Sequence, residues 1–210
     1  MQIRHLRVLI GSLALVLASP AIAAPKIVLD YRKPTDQRPP AVTAEIRAML
    51  AGALPGEAKD VTVLDHLRGS FSQPGFSEDI YLVADKAPVA AQPFAQGPAQ
   101  RLVTIREGRT TVWRLPEELR YQRIAGMVDA DRDGRSELLL EAGFYNMGQS
   151  TVSVDHLALA ANGSVAIRHS LKDVVTDGCD NPVGKREKRA STIALGDDGQ
   201  LVAKPYRQRC

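Results

Sequence analysis

Asp129-Ala130-Asp131-Arg132-Asp133-Gly134-Arg135-Ser136-Glu137, running at once into Leu138-Leu139-Leu140, is the stretch that decides how this 210-residue chain folds. Carboxylates at its first, third and fifth positions, a glycine at the sixth and an acid at the ninth can converge oxygens on one hard cation. Ca²⁺ fits best, because it accepts about six to eight oxygen ligands at roughly 2.3–2.6 Å in flexible geometry. Gly134 permits the positive φ that a sharp fold-back needs. The candidate ligands are Asp129, Asp131, Asp133, the peptide carbonyl of Arg135, and Glu137. The competing reading is a metal-free run of Asx-turns. Against it stands the mutual repulsion of four crowded carboxylates.

An EF-hand is excluded. Its twelfth position needs a bidentate glutamate and its flanks need helices, whereas Leu140 stands at position twelve and Ile124–Val128 reads as extended. The residues from Gly126 to Leu140 resemble instead the calcium loop of integrin-like FG-GAP and VCBS-type repeats, D-x-D-x-D-G-x-x-[DE] between two strands of a β-propeller blade. That resemblance implies a strand–loop–strand unit with a structural Ca²⁺. Arg132 and Arg135 depart from the pattern, standing where glycine and small residues are usual, and compete for the same carboxylates.

Upstream, Arg4, His5 and Arg7, the apolar run Val8–Leu17 and the small-residue site Ala21-Ile-Ala23 predict a secretory signal peptide over 1–23, cleaved after Ala23. The run is too short to span a bilayer, and no later segment reads as a membrane span. Loss of Arg4 and Arg7, with no acid, takes the formal charge from +3 to +1, which gives no general attraction to nucleic acid. The expected compartment is the periplasm or the cell exterior. Residues 24–210 read as a single mature domain.

In an oxidising compartment the only two cysteines, Cys179 and Cys210, predict a disulfide. Lys26–Tyr31 predicts a strand, followed by a connector that ends at Pro39-Pro40. Ile46, Met49, Leu50 and Ala53, with Gly52 near the stop, predict one short amphipathic helix that packs on a sheet. From Val61 on the chain reads as strands in two similar units. Gly69–Val83 outlines a shorter, metal-free sister of Gly126–Leu140. Each is followed by a hairpin: Arg101–Arg106 with Thr110–Arg114 around Glu107-Gly108, and Val152–Leu159 with Val165–Arg168 around Asn162-Gly163. Asn-Gly suggests a type I′ turn. Asp198-Gly199 marks a third hairpin between Ser191–Leu195 and Leu201–Lys204. Ala87–Gln100 reads as a loop, and Pro116–Leu119 as one helical turn.

The expected fold is therefore mainly β, built of tandem antiparallel hairpin or blade-like units forming a partial β-propeller or a small sandwich. Its expected segments are 24–60, 61–114, 115–170 and 171–210. Lys185-Arg-Glu-Lys-Arg189 reads as a solvated basic loop, with a phosphate or lipopolysaccharide contact as the alternative. Phe144-Tyr145-Asn146 reads as packing, with a sugar or peptide contact as its alternative. Glu141 reads as an outward strand residue, or as the partner of an arginine or a support to the metal ligands. His66, His156 and His169 join no catalytic signature. The function expected is an exported calcium-binding β domain that presents a surface to a protein or glycan of the envelope. An exported hydrolase braced by the same loop is the alternative.

Overall fold

The computed structural model describes residues 25–33, 41–54, 61–84, 99–116 and 118–210. The segment 1–23 expected to be a signal peptide, the connector to Pro39-Pro40 and residues 87–98 lie outside the described residues. Among those described, the chain runs β1 (Lys26–Asp30), α1 (Ala44–Ala53), β2 (Thr62–Gly69), β3 (Glu78–Ala84), β4 (Gln100–Arg106), β5 (Arg109–Arg114), β6 (Arg123–Val128), β7 (Glu137–Asn146), β8 (Gln149–Leu159), β9 (Val165–Asp177), β10 (Lys188–Leu195) and β11 (Leu201–Gln208).

The fold is mainly β, with one short helix and two antiparallel sheets. β2-β3-β4-β5 form an open four-stranded meander; β6-β7-β8-β9 repeat that order inside a seven-stranded sheet completed by β10, β1 and β11. β10 pairs along its whole length with β11, while its other edge pairs first with the end of β9 and then with β1. β1 lies beside β6, so the larger sheet curls into a near-closed barrel.

The run Leu138-Leu139-Leu140 has a direct physical cause. Successive side chains of a strand point to opposite faces, and β7 is covered on both. Leu138 and Leu140 enter a core shared with Ile80, Leu82, Leu102 and Trp113 of the open sheet. Leu139 enters the interior of the curled sheet with Val128, Val154, Val174 and Ile193. A strand buried on both faces reads as a continuous apolar run rather than an alternating one. β3 does the same, since Tyr81 and Val83 meet Leu50 and Leu54 on the face opposite Ile80 and Leu82. That face is where α1 packs. The helix begins at Thr43, whose hydroxyl oxygen accepts the Ile46 N–H at 3.2 Å.

The sheets are also joined by polar contacts. Asp65 accepts the Ile124 N–H at 2.8 Å, and Trp113 donates its indole N–H to the Ala160 carbonyl at 3.0 Å. The Gln100 side-chain amide pairs with both the N–H and the carbonyl of Tyr121 at 2.8 Å. Leu119 N–H closes the expected turn onto the Pro116 carbonyl.

One turn reading is corrected. At Asn162-Gly163 only the glycine has positive φ, so the turn is not type I′, and at Asp198-Gly199, where the expected hairpin does form, the glycine alone has positive φ as well. Both loops are longer than two residues, with Ala160 N–H bonded to the Ser164 carbonyl and Gly196 N–H to that of Gln200. There Asn162 and Asp198 instead accept N–H bonds two residues on. The two-residue turns with positive φ at both centres are Glu107-Gly108 and Met147-Gly148. The second joins β7 to β8, a hairpin the sequence reading did not mark.

Candidate metal centre

Asp129, Asp131 and Asp133 each offer a carboxylate oxygen, and the three oxygens lie within 4.8 Å of one another at the surface. The loop that brings them together hangs between β6 and β7 and folds back at Gly134, where φ is +83°. Its own amides organise the acids. Asp129 accepts the Gly134 N–H at 3.1 Å, Asp131 the Asp133 N–H at 3.3 Å, and Asp133 the Arg135 N–H at 2.8 Å. The Asp131 and Asp133 bonds, each to an N–H two residues on, are the Asx-turn bonds of the competing reading, whereas Asp129 reaches five residues on to close the bend.

The two arginines behave differently. Arg132 reaches out to the Asp197 carbonyl at 3.3 Å. Arg135 turns inward, its Nε 2.7 Å from Asp133 Oδ2, and this side-chain bond holds the Asp133 carboxyl below the usual carboxylate range. One guanidinium therefore competes for a carboxylate of the cluster.

Glu137, the ninth position, does not join the group of three. It is buried at the start of β7 and accepts the Ala130 N–H at 2.8 Å through Oε2. The buried His156 Nε2 lies 3.2 Å from the same oxygen, without the alignment of a hydrogen bond. The shorter loop between β2 and β3 repeats the device: buried Glu78, first residue of β3, accepts the Ser72 N–H at 3.2 Å and its hydroxyl. A glutamate that opens the second strand and ties down its loop is thus common to the acid-rich loop and its plainer sister.

Two neighbouring loops brace the cluster. Ser136 N–H bonds the Ser70 carbonyl from the β2–β3 loop. A Cβ added at Gly134 would stand 3.0 Å from Pro74 Cβ of that loop, and one at Gly199, in the β10–β11 turn, 2.7 Å from the Ala130 carbonyl oxygen. Gly134→Ala therefore meets both a positive φ and Pro74. Its expected cost is about 1–2 kcal/mol, measurable by urea unfolding without added metal. Beside the loop opens a cleft of ≈ 290 Å³ lined by Asp131, Asp133, Arg135, Glu137, Phe71 and Arg168 among others.

The remaining sequence candidates fall elsewhere. Glu141 is not outward-facing: it is buried, and its Oε2 accepts from Tyr31 Oη and Arg123 Nε, both at 2.9 Å. His66 Nε2 meets Asp79 at 2.9 Å and its ring stacks on Tyr81. His169 faces His156 across β8 and β9. Cys179 and Cys210 form the expected disulfide. Among the described residues no helix is long and apolar enough to cross a membrane. Sequence reasoning missed the supports supplied by Ser70, Pro74 and Gly199, for which the local sequence of the acidic loop carries no signal.

Comparison with known proteins leaves the assignment to this geometry: no family model, no curated protein and no solved structure matches the chain.

Proposed function

We propose that the chain is an exported β domain in which the Asp129–Glu137 loop binds one Ca²⁺ as a structural brace. The observation that carries this reading is the convergence of three carboxylate oxygens within 4.8 Å on a loop held from both sides. An all-oxygen, multiply charged donor set suits a hard cation, and Ca²⁺ tolerates the irregular geometry of such a loop better than Mg²⁺. Asp129, Asp131 and Asp133 supply the charge, while the Arg135 carbonyl and Glu137 stand at the seventh and ninth ligand positions. Bound there, the ion would offset the repulsion among the acids and fix the bend from β6 into β7, together with the β2–β3 and β10–β11 loops packed on it. The surface formed by those loops is then preorganised for a protein or glycan partner. The two meanders, each with a loop after its first strand and a glutamate opening its second, support kinship with blades of the FG-GAP and VCBS type.

The test is calorimetric titration of chelator-treated protein with CaCl₂. The unaltered chain should release or absorb heat on binding, and Asp131→Ala should abolish the signal. Arg135→Ala frees Asp133 from its guanidinium and should tighten binding by up to about fivefold, the equivalent of one exposed ion pair. A signal unchanged in Asp131→Ala would place any Ca²⁺ site elsewhere.

A further inference from the structure

The end of β7 opposite the acidic loop carries a second feature, built from two loops that are distant in sequence. The Met147-Gly148 turn projects Phe144, Tyr145 and Met147, which are 62%, 71% and 68% exposed. Against it lies the loop between β9 and β10. A Cβ added at Gly148 would fall 2.3 Å from the Asp180 carbonyl oxygen, and Asn181 organises this loop by accepting the Val183 and Gly184 N–H groups. The loop adds Val183, at 81% exposure the most open large apolar side chain among the described residues. Four exposed large apolar side chains thus belong to two adjoining segments at this end of β7, Phe144 and Tyr145 on its last residues, Met147 in the turn and Val183 in the neighbouring loop. Isolated exposed hydrophobics need no explanation, but a cluster at a projecting end does.

Charge indicates what the tip meets. The end of β9, the β9–β10 loop and the start of β10 carry Lys185, Arg186, Lys188 and Arg189 against Asp177, Asp180 and Glu187, a balance of one positive charge. Lys188 is engaged with Asp177 at 2.7 Å, and Arg189 lies 3.4 Å from Glu187. Lys185 is 76% exposed and only 3.6 Å from Glu187, while Arg186 uses its Nε on the Cys179 carbonyl. The balance beside the apolar tip is positive. Exposed aromatic and aliphatic side chains at one end of the strand, flanked by cations, match the boundary of an anionic bilayer, where rings sit at headgroup level and basic groups pair with lipid charge.

We propose that this tip docks the chain on an anionic lipid surface, with Phe144, Tyr145, Met147 and Val183 entering the headgroup boundary and Lys185 and Arg186 facing the lipid charge. The site is independent of the calcium loop. β7 is ten residues long, and at about 3.3 Å per residue the two ends are roughly 30 Å apart.

The experiment is co-sedimentation of the chain from Ala24 onward, which contains every described residue, with vesicles of equal parts phosphatidylglycerol and phosphatidylcholine, in EGTA. Pure phosphatidylcholine vesicles are the control. Binding should require the anionic lipid and weaken with salt, and both Phe144→Ser with Met147→Ser and Lys185→Glu with Arg186→Glu should lower it at least about tenfold. Phe144 and Met147 are exposed and hold no bond to the rest of the fold that their substitution would break, so the melting temperature of that double variant should stay unchanged, and it carries the test should loss of the Arg186–Cys179 contact shift the other. Tyr145→Trp adds a reporter whose emission should shift to the blue on vesicles, against the buried Trp113. Absence of binding, binding that survives both double substitutions, or capture of an acidic protein by the tip with no vesicle binding would overturn the proposal. Because the assay runs in EGTA, failure of the calcium reading does not affect its outcome.

Discussion

Glu141→Ala lowers the free energy of unfolding by about 3–5 kcal/mol, the usual range when one member of a buried ion pair is removed. Glu141 is 3% exposed and faces Arg123 directly across β6 and β7. Its Oε2 accepts both Arg123 and Tyr31, so truncation leaves a half-buried guanidinium and a partly buried phenol without their acceptor. The Tyr31 hydroxyl is already pushed well above the ordinary tyrosine range, first by burial and then by the Glu141 charge. Urea unfolding of the variant is the measurement. Glu141→Gln keeps an acceptor for Tyr31 and should cost less than the alanine variant. A loss under about 1 kcal/mol for Glu141→Ala would mean that water or a rotated Arg123 replaces the lost contacts.

Cys179→Ser with Cys210→Ser should cost about 3–4 kcal/mol. The two residues are 31 apart in sequence, and the chain-entropy relation for a loop of that length gives this size of effect. Addition of a reductant to the unaltered protein should reproduce the loss, which excludes an effect of the serines themselves. A much smaller change would show that the unfolded chain keeps the β10–β11 hairpin, whose eight register pairs lie inside the closed loop, so that the bond removes little freedom.

The parts of this fold that were legible in sequence are those that local chemistry decides. The Glu107-Gly108 hairpin, the β10–β11 hairpin and α1 all sit within a few residues of the signals that mark them. The hairpin at Met147-Gly148 went unmarked because methionine is not a usual turn residue. The I′ reading at Asn162-Gly163 failed because loop length, and not the dipeptide alone, selects the turn. For Glu141 the arginine pairing that the sequence offered is met by Arg123, while the outward position is not. The alternation of β7 placed it opposite Leu140, and the outward face that this implies is closed by the curl of the sheet, which brings β1 and Tyr31 over it.

The acidic loop follows the same division. Its three aspartates converge because their spacing and Gly134 are contiguous, and the pairing of Arg135 with Asp133 was foreshadowed by their adjacency. That Arg132 turns away depends on Asp197, sixty-five residues downstream. The brace at Pro74 depends on a packing of two loops that neither sequence announces. Glu137 stood at a ligand position by count, yet its Oε2 is held by the Ala130 amide, a role made intelligible by Glu78 doing the same for Ser72.

β7 has one more property, which concerns tolerance to length change. Because Leu138 and Leu140 fill one interior and Leu139 the other, adding or deleting a single residue early in this strand would invert the destination of each following side chain. Glu141 would be driven among the leucines between the sheets, and a leucine would face Arg123 and Tyr31. Frame-preserving changes of two residues keep the parity but move the tip and the acid loop relative to each other. Variation in chain length in this protein should therefore be confined to the turns and absent from this strand, a pattern that a systematic insertion library scored for soluble expression would expose.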